Sequence, residues 1–83
     1  MIPLLRPRRK PNWELQVAGM VCRACAQAVE AALRRVSGVE LVRADSRTGR
    51  VLVWGAEVEL DALREAAEAI GYEVVQHAPT AGS

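Results

Sequence analysis

Hydrophobic and polar positions alternate with the period of a strand in some stretches of this chain and recur at helical spacing in two others. Trp13, Leu15 and Val17 alternate with Glu14, Gln16 and Ala18, the pattern of a half-buried strand, and Gly19 ends it. From about Ala24 the apolar positions are Val29, Ala32, Leu33 and Val36, with Glu30, Arg34 and Arg35 on the wet side, which predicts a helix stopped by Ser37 and Gly38. Val39 to Asp45 follows, with Leu41 between Glu40 and Arg43. Ser46, Arg47, Thr48 and Gly49 then supply turn chemistry before Val51 and Val53 resume the alternation, so this part reads as a β-hairpin. Asp61 is expected to cap a second helix with Leu63, Ala66, Ala67 and Ile70 as its apolar stripe and Arg64, Glu65 and Glu68 outside. Gly71 ends that helix, and Tyr72 to Gln76 form a last short strand.

The order βαββαβ predicts an α+β fold of the ferredoxin-like kind, in which two helices pack on one face of a four-stranded antiparallel sheet. Pro3, Pro7 and Pro11 among the arginines prevent a helix or ladder from propagating at the start, so residues 1–11 are expected to be a disordered basic arm. The domain would occupy 12–77. Residues 78–83, with Pro79 and Gly82, are expected to be a disordered tail or the start of a linker.

Length and composition narrow what such a domain can be. A chain of 83 residues holds one domain, which buries only about 60 % of its unfolded surface and needs an efficient core. Hydrophobic residues make up 51 % of it but aromatics only 4 %, so Val, Leu, Ile and Ala must build that core. Trp54 falls out of phase with Val51 and Val53, which predicts an exposed aromatic on the open sheet face.

Charge excludes some function classes. The formal net charge of +1 conceals an asymmetry: Arg6, Arg8, Arg9 and Lys10 lie in the arm, leaving seven basic against ten acidic residues from Pro11 onward. A mildly acidic fold is a poor duplex binder, since phosphate neutralisation needs basic residues clustered on the fold itself. The arm could attract acidic partners or anionic lipid head groups, although tethering is the simpler role. No apolar run approaches the roughly 20 residues that span a bilayer. Arg8 and Arg9 resemble a twin-arginine signal, yet Pro11, Asn12 and Trp13 follow where an apolar stretch should begin. The reading is a cytoplasmic protein or the cytoplasmic domain of a membrane protein.

Candidate chemistry concentrates in Cys22 and Cys25, the two cysteines of the chain, where the first strand gives way to the first helix. Two thiols at this spacing can bind a soft metal, cycle to a disulfide, or supply half of a zinc site. In a reducing compartment a structural disulfide is the weakest of these. Cys22 falls in the loop and Cys25 in the first helical turn, where unpaired backbone N–H groups and the positive end of the helix dipole favour thiolate. Such a pair suits a d¹⁰ ion that accepts near-linear two-sulfur coordination, such as Cu(I) or Hg(II). Structural zinc is tetrahedral with four protein ligands, whereas this chain offers two cysteines and a distant His77, expected to be solvated with no metal role.

The run Gly19, Met20, Val21, Cys22, Arg23, Ala24, Cys25 resembles the Gly-Met-x-Cys-x-x-Cys signature of heavy-metal-associated domains, the family of copper chaperones and the N-terminal domains of metal-transporting P-type ATPases. The similarity continues through Val29, Glu30, Leu33, Ser37, Gly38 and Val39 to Ile70, Gly71 and Tyr72, covering roughly residues 13–76. It implies Cys22 and Cys25 as metal ligands and Met20 as a buried anchor that pins the loop to the core, in keeping with an adaptable apolar side chain at that position. It also implies that Tyr72 shields the metal and hydrogen-bonds a sulfur, with Gly19 and Gly71 supporting the loop. The family most often has Thr before the first cysteine, and its zinc-directed members tend to have Asp there; Val21 supplies no ligand. That departure favours Cu(I) over Zn(II), with Ag(I) and Hg(II) also soft enough.

The function these features imply is binding of Cu(I) and its transfer by ligand exchange to a partner with its own Cys-x-x-Cys site, a P-type ATPase or a chaperone, with no catalytic residue in the chain itself. The rim around the loop, including Arg23 and Tyr72, would meet that partner. The apo-protein would be a monomer, and a shared metal could bridge two copies. Competing readings are a mercury(II) or other soft-metal module and a small thiol oxidoreductase, although Arg23 and Ala24 stand where a thioredoxin-like motif usually has Gly-Pro. A nucleic-acid module ranks last because paired aromatics for base stacking are missing from the central strands.

Overall fold

The computed structural model describes residues 11–79; the rest of the basic arm and residues 80–83 of the expected tail lie outside the described residues. Six elements follow in the order β1 (Trp13–Ala18), α1 (Arg23–Arg34), β2 (Val39–Asp45), β3 (Arg50–Gly55), α2 (Leu60–Ala69) and β4 (Glu73–Pro79). The strands form one antiparallel sheet in the order β2-β3-β1-β4, so the two halves of the chain interleave at the central pair. This is the ferredoxin-like arrangement expected from the alternating pattern.

The alternation in β1 explains the layering. Leu15 and Val17 point to one face and meet Val51 and Val53 of β3, Val42 of β2 and Val74 of β4. Val29 and Leu33 of α1 and Leu63 and Ala67 of α2 close over them, α1 lying against β2 and α2 against β4. Each fully buried aliphatic side chain of this cluster contributes roughly 1.5–3 kcal/mol of transfer free energy, which an aromatic-poor core of this size needs.

Several boundaries differ from the pattern-based expectation. Helix α1 ends at Arg34, earlier than Ser37, because Arg35 and Val36 donate to the carbonyls of Ala32 and Leu33 and tighten the last turn. Helix α2 begins earlier than expected: extended Glu59, not Asp61, is its N-cap, and Asp61 sits in the first turn, where its charge faces the positive end of the dipole. Strand β4 begins at Glu73 and runs through Ala78 and Pro79, which pair opposite Glu14 and Trp13 instead of starting a tail. Proline is tolerated at the end of an edge strand, so Pro79 did not stop the ladder where its residue type suggested.

Trp54 corrects a second expectation. It does lie out of phase with the core positions, opposite Leu41 across a register shift in β2, but it is only 7 % exposed. Its phase predicts exposure, and the structure covers it.

One side chain fixes α1 to the sheet edge. Glu30 is half-buried, and its Oε2 accepts the Ala44 backbone N–H at 2.8 Å, satisfying a donor that edge strand β2 would otherwise turn to solvent. Replacing Glu30 by Ala is expected to lower unfolding stability by about 1.5 kcal/mol, the scale of a hydrogen bond to a charged group. A urea titration with a reduced midpoint and unchanged slope would show it.

Candidate metal centre

The loop between β1 and α1 carries the chemistry, and the chain around it is arranged to hold it in place. Gly19 has φ +97°, a conformation that L side chains rarely adopt, and a Cβ there would come within 3.1 Å of the Tyr72 ring. Met20, the next residue, is 4 % exposed and belongs to the apolar core, so the loop is anchored directly before it turns outward. Val21 then projects into solvent at 83 % exposure. Within three residues the chain passes from a tight turn to a buried anchor to a free tip.

Cys22 is the N-cap of α1, with an extended backbone (φ −152°, ψ 170°), and its carbonyl accepts the Ala26 N–H at 3.1 Å. Its side chain makes no capping bond and is exposed; Cys25, in the first helical turn, is half-buried. The two Sγ atoms are 3.2 Å apart with both thiols free. No acidic residue stands in the first turn of α1, so the positive end of the helix acts on the sulfurs without a competing carboxylate.

Tyr72 reaches the site through the end of α2. The Gly71 N–H donates to the Glu68 carbonyl at 3.0 Å and the Tyr72 N–H to that of Ala67 at 3.0 Å, the paired bonds of a Schellman termination, with Gly71 at φ +95°. That turn brings the ring over Gly19. The Tyr72 hydroxyl donating to its sulfur is the largest cause that holds the Cys25 thiol down at about 7; the Cys22 thiol and the Val21 backbone N–H add to it, and partial burial opposes them. Reciprocally, donation to Cys25 raises the Tyr72 hydroxyl above its ordinary range.

The consequence is measurable in the apo-protein. Cys25 should alkylate with a pH midpoint of about 7, and Tyr72→Phe should move that midpoint up toward an ordinary thiol. Because the folded value lies below the ordinary 9.0, the associated stability is fully present above that pH and is lost as pH falls through about 7. A Tyr72→Phe midpoint unchanged from wild type would remove the hydroxyl from this account.

The structure brings Gly19, Met20, Cys22, Cys25, Gly71 and Tyr72 together at one end of the molecule. His77 is elsewhere: it pairs with Leu15 on β4 and lies edge-on to Trp13, with ring centroids 6.3 Å apart. Among the described residues, no three His, Cys, Asp or Glu side chains converge as a metal-ligand group, so the donors at the loop are the two sulfurs. Ile70, expected in the buried stripe of α2, is 43 % exposed. Its helical phase matched the apolar stripe, but it is the C-cap residue, where the stripe leaves the core.

Residues 14–73 match the family model described as the heavy-metal-associated domain. Over 63 residues the chain is 40 % identical to a copper-exporting P-type ATPase of Bacillus subtilis, covering 74 % of this chain and 8 % of the ATPase. It spans less than a tenth of the length of the curated ATPases it matches. Among solved structures, the CopZ metallochaperone superposes with a TM-score of 0.71 at 36 % identity, covering 75 % of this chain and 96 % of CopZ. The N-terminal domain of ZntA in its Zn(II) form superposes with a TM-score of 0.73 at 25 % identity, covering 90 % and 99 %.

Proposed function

Because the chain belongs to the heavy-metal-associated domain family, we propose that it binds Cu(I) between Cys22 and Cys25 and hands it on by ligand exchange with a second cysteine pair. The observation that carries this reading is the donor set: two free sulfurs 3.2 Å apart at an exposed loop, preceded by a Val21 that points into solvent and offers no oxygen. Two thiolates without a carboxylate suit a soft ion of low coordination number, whereas Zn(II) needs further ligands. The copper-exporting relative and the CopZ neighbour support the same ion; the ZntA domain shows that the fold itself does not select it.

The two sulfurs have different parts in the exchange. Cys22, exposed at the cap, is the sulfur an incoming partner reaches first, while Cys25, half-buried in the first helical turn, stays with the helix. Transfer passes through a three-sulfur intermediate, so a tightly held ion can still move quickly. Copper remains Cu(I) throughout, and protons leaving the acceptor thiols balance those taken up by the vacated donor sulfurs.

The chain works in this reading either as a free chaperone or as an N-terminal domain of a copper-transporting ATPase, with no catalytic residue of its own and on the cytoplasmic side. No helix among the described residues is long and apolar enough to cross a membrane. Protein isolated anaerobically with thiol reductant, mixed with excess Cu(I) and Zn(II) and desalted, should carry one copper and negligible zinc per chain. Preferential zinc retention would overturn the assignment, and turnover of disulfide substrates faster than by free glutathione would move it to an oxidoreductase.

A further inference from the structure

Trp54 is buried on the side of the sheet that faces away from the helices. Val51 and Val53 point into the core beneath α1 and α2, so Leu52 and Trp54, which alternate with them along β3, point to the opposite face. Leu41 stands across from Trp54 on β2, and both Leu41 and Leu52 are half-buried, yet Trp54 is only 7 % exposed. Neighbours within a sheet shield an indole along its flanks; closing its outward surface takes a segment laid across the face. A groove shared by Trp54, Leu52 and Arg43 continues this apolar strip toward the β2–β3 hairpin.

Two segments of the chain, 1–10 and 80–83, are candidates to lie across it. Thr80, Ala81, Gly82 and Ser83 bring no large apolar side chain, whereas Ile2, Leu4 and Leu5 do. The point of attachment favours the same segment. Asn12 donates its backbone N–H to the Val53 carbonyl at 2.7 Å and accepts the Gly55 N–H on its side-chain oxygen at 2.8 Å, so the chain is fastened to β3 on either side of Trp54 just after residues 1–10. Pro79 pairs with Trp13 on the far side of β1 from β3. From Leu5 to Asn12 a proline-rich chain reaches roughly 20 Å at about 3.1 Å per residue, and neighbouring strands are about 4.8 Å apart, which is ample. Charge agrees: Arg6, Arg8, Arg9 and Lys10 precede a remainder with seven basic and ten acidic residues, and Glu40 and Glu57 are exposed at this end of the sheet. Arg34 and Arg35, at the same end, belong to the helix layer.

We infer that the helix-free face of the sheet is a docking site for residues 1–10 of the same chain, with Ile2, Leu4 and Leu5 laid over Trp54, Leu52 and Leu41. Pro3, Pro7 and Pro11 forbid a ladder but suit an extended segment that packs through its side chains without backbone pairing. Because the segment is tethered beside its site, a weak apolar contact is enough to keep the site filled. A face closed in this way is withdrawn from other partners, and displacing the segment uncovers an aromatic and aliphatic patch of the kind that binds protein. The inference is independent of the ion that the cysteines hold.

NMR of the whole chain, isotope-labelled, reduced and free of metal, tests it. Nuclear Overhauser contacts should join the methyl groups of Ile2, Leu4 or Leu5 to the Trp54 ring, and they should persist on dilution and be missing between labelled and unlabelled copies in a mixed sample. In Ile2→Ser/Leu4→Ser/Leu5→Ser those contacts should vanish and solvent exchange of the Trp54 indole N–H should become about tenfold faster, as a local opening requires. The amide signals of Leu15, Val51 and Val53 should stay in place, because the substituted residues do not belong to the core cluster. Methyl groups of residues 1–10 with random-coil shifts and no contact to Trp54 would overturn the inference, as would indole exchange unchanged in the triple variant. Contacts seen only between copies would assign the face to a second chain and overturn it as well.

Discussion

Replacing Cys22 and Cys25 together by serine is expected to abolish Cu(I) binding under reducing conditions while leaving the apo-domain folded. The loss should be complete because the described donors at the loop are those two sulfurs, and a serine hydroxyl is hard, stays protonated at neutral pH and offers no thiolate. The fold should survive because neither side chain is buried in the aliphatic cluster: Cys22 is exposed and makes no capping bond, and Cys25 is half-buried at its edge. Serine at position 22 is also a preferred N-cap residue, which can offset any lost contact. Cys22→Ser alone should retain weak, one-sulfur binding through Cys25, with affinity reduced by several orders of magnitude. Chelator competition for Cu(I) and a thermal melt of the apo-protein separate the two halves of the expectation. Tight binding that persists in the double variant would sink the site.

That expectation is legible in the sequence because the cysteines lie where a period-2 pattern gives way to a helical one, and the loop-to-helix transition controls both exposure and thiolate character. The core was equally readable, since Leu15, Val17, Val51 and Val53 keep phase and all are buried. What periodicity could not supply was the outcome at positions where phase and burial separate. Trp54 is out of phase yet covered, and Ile70 is in phase yet exposed, because one sits opposite Leu41 on the far face and the other caps a helix that has left the core. Residue-type rules failed at Asp61 and Pro79 for a related reason: Glu59 took the extended cap conformation, and an edge strand tolerates proline at its end.

The residue between Met20 and Cys22 gives the second large effect: on the proposed two-sulfur site, Val21→Asp is expected to raise Zn(II) affinity by about a hundredfold, some 3 kcal/mol, with a much smaller change for Cu(I). Val21 is 83 % exposed and adjoins Cys22, so an aspartate there meets no steric barrier and loses little packing. Its carboxylate adds a hard, anionic third ligand to two thiolates, which lowers the deficit that leaves Zn(II) poorly held by sulfur alone. Cu(I), satisfied by two sulfurs, gains nothing comparable from a hard oxygen. Val21→Asn keeps the shape and removes the charge, so it should recover only a small part of the zinc gain. Competition titrations of both ions across wild type, Val21→Asp and Val21→Asn decide the matter. If all three bind zinc alike, selectivity resides in the wider loop, and the absence of a ligand at position 21 has no bearing on which ion the sulfurs hold.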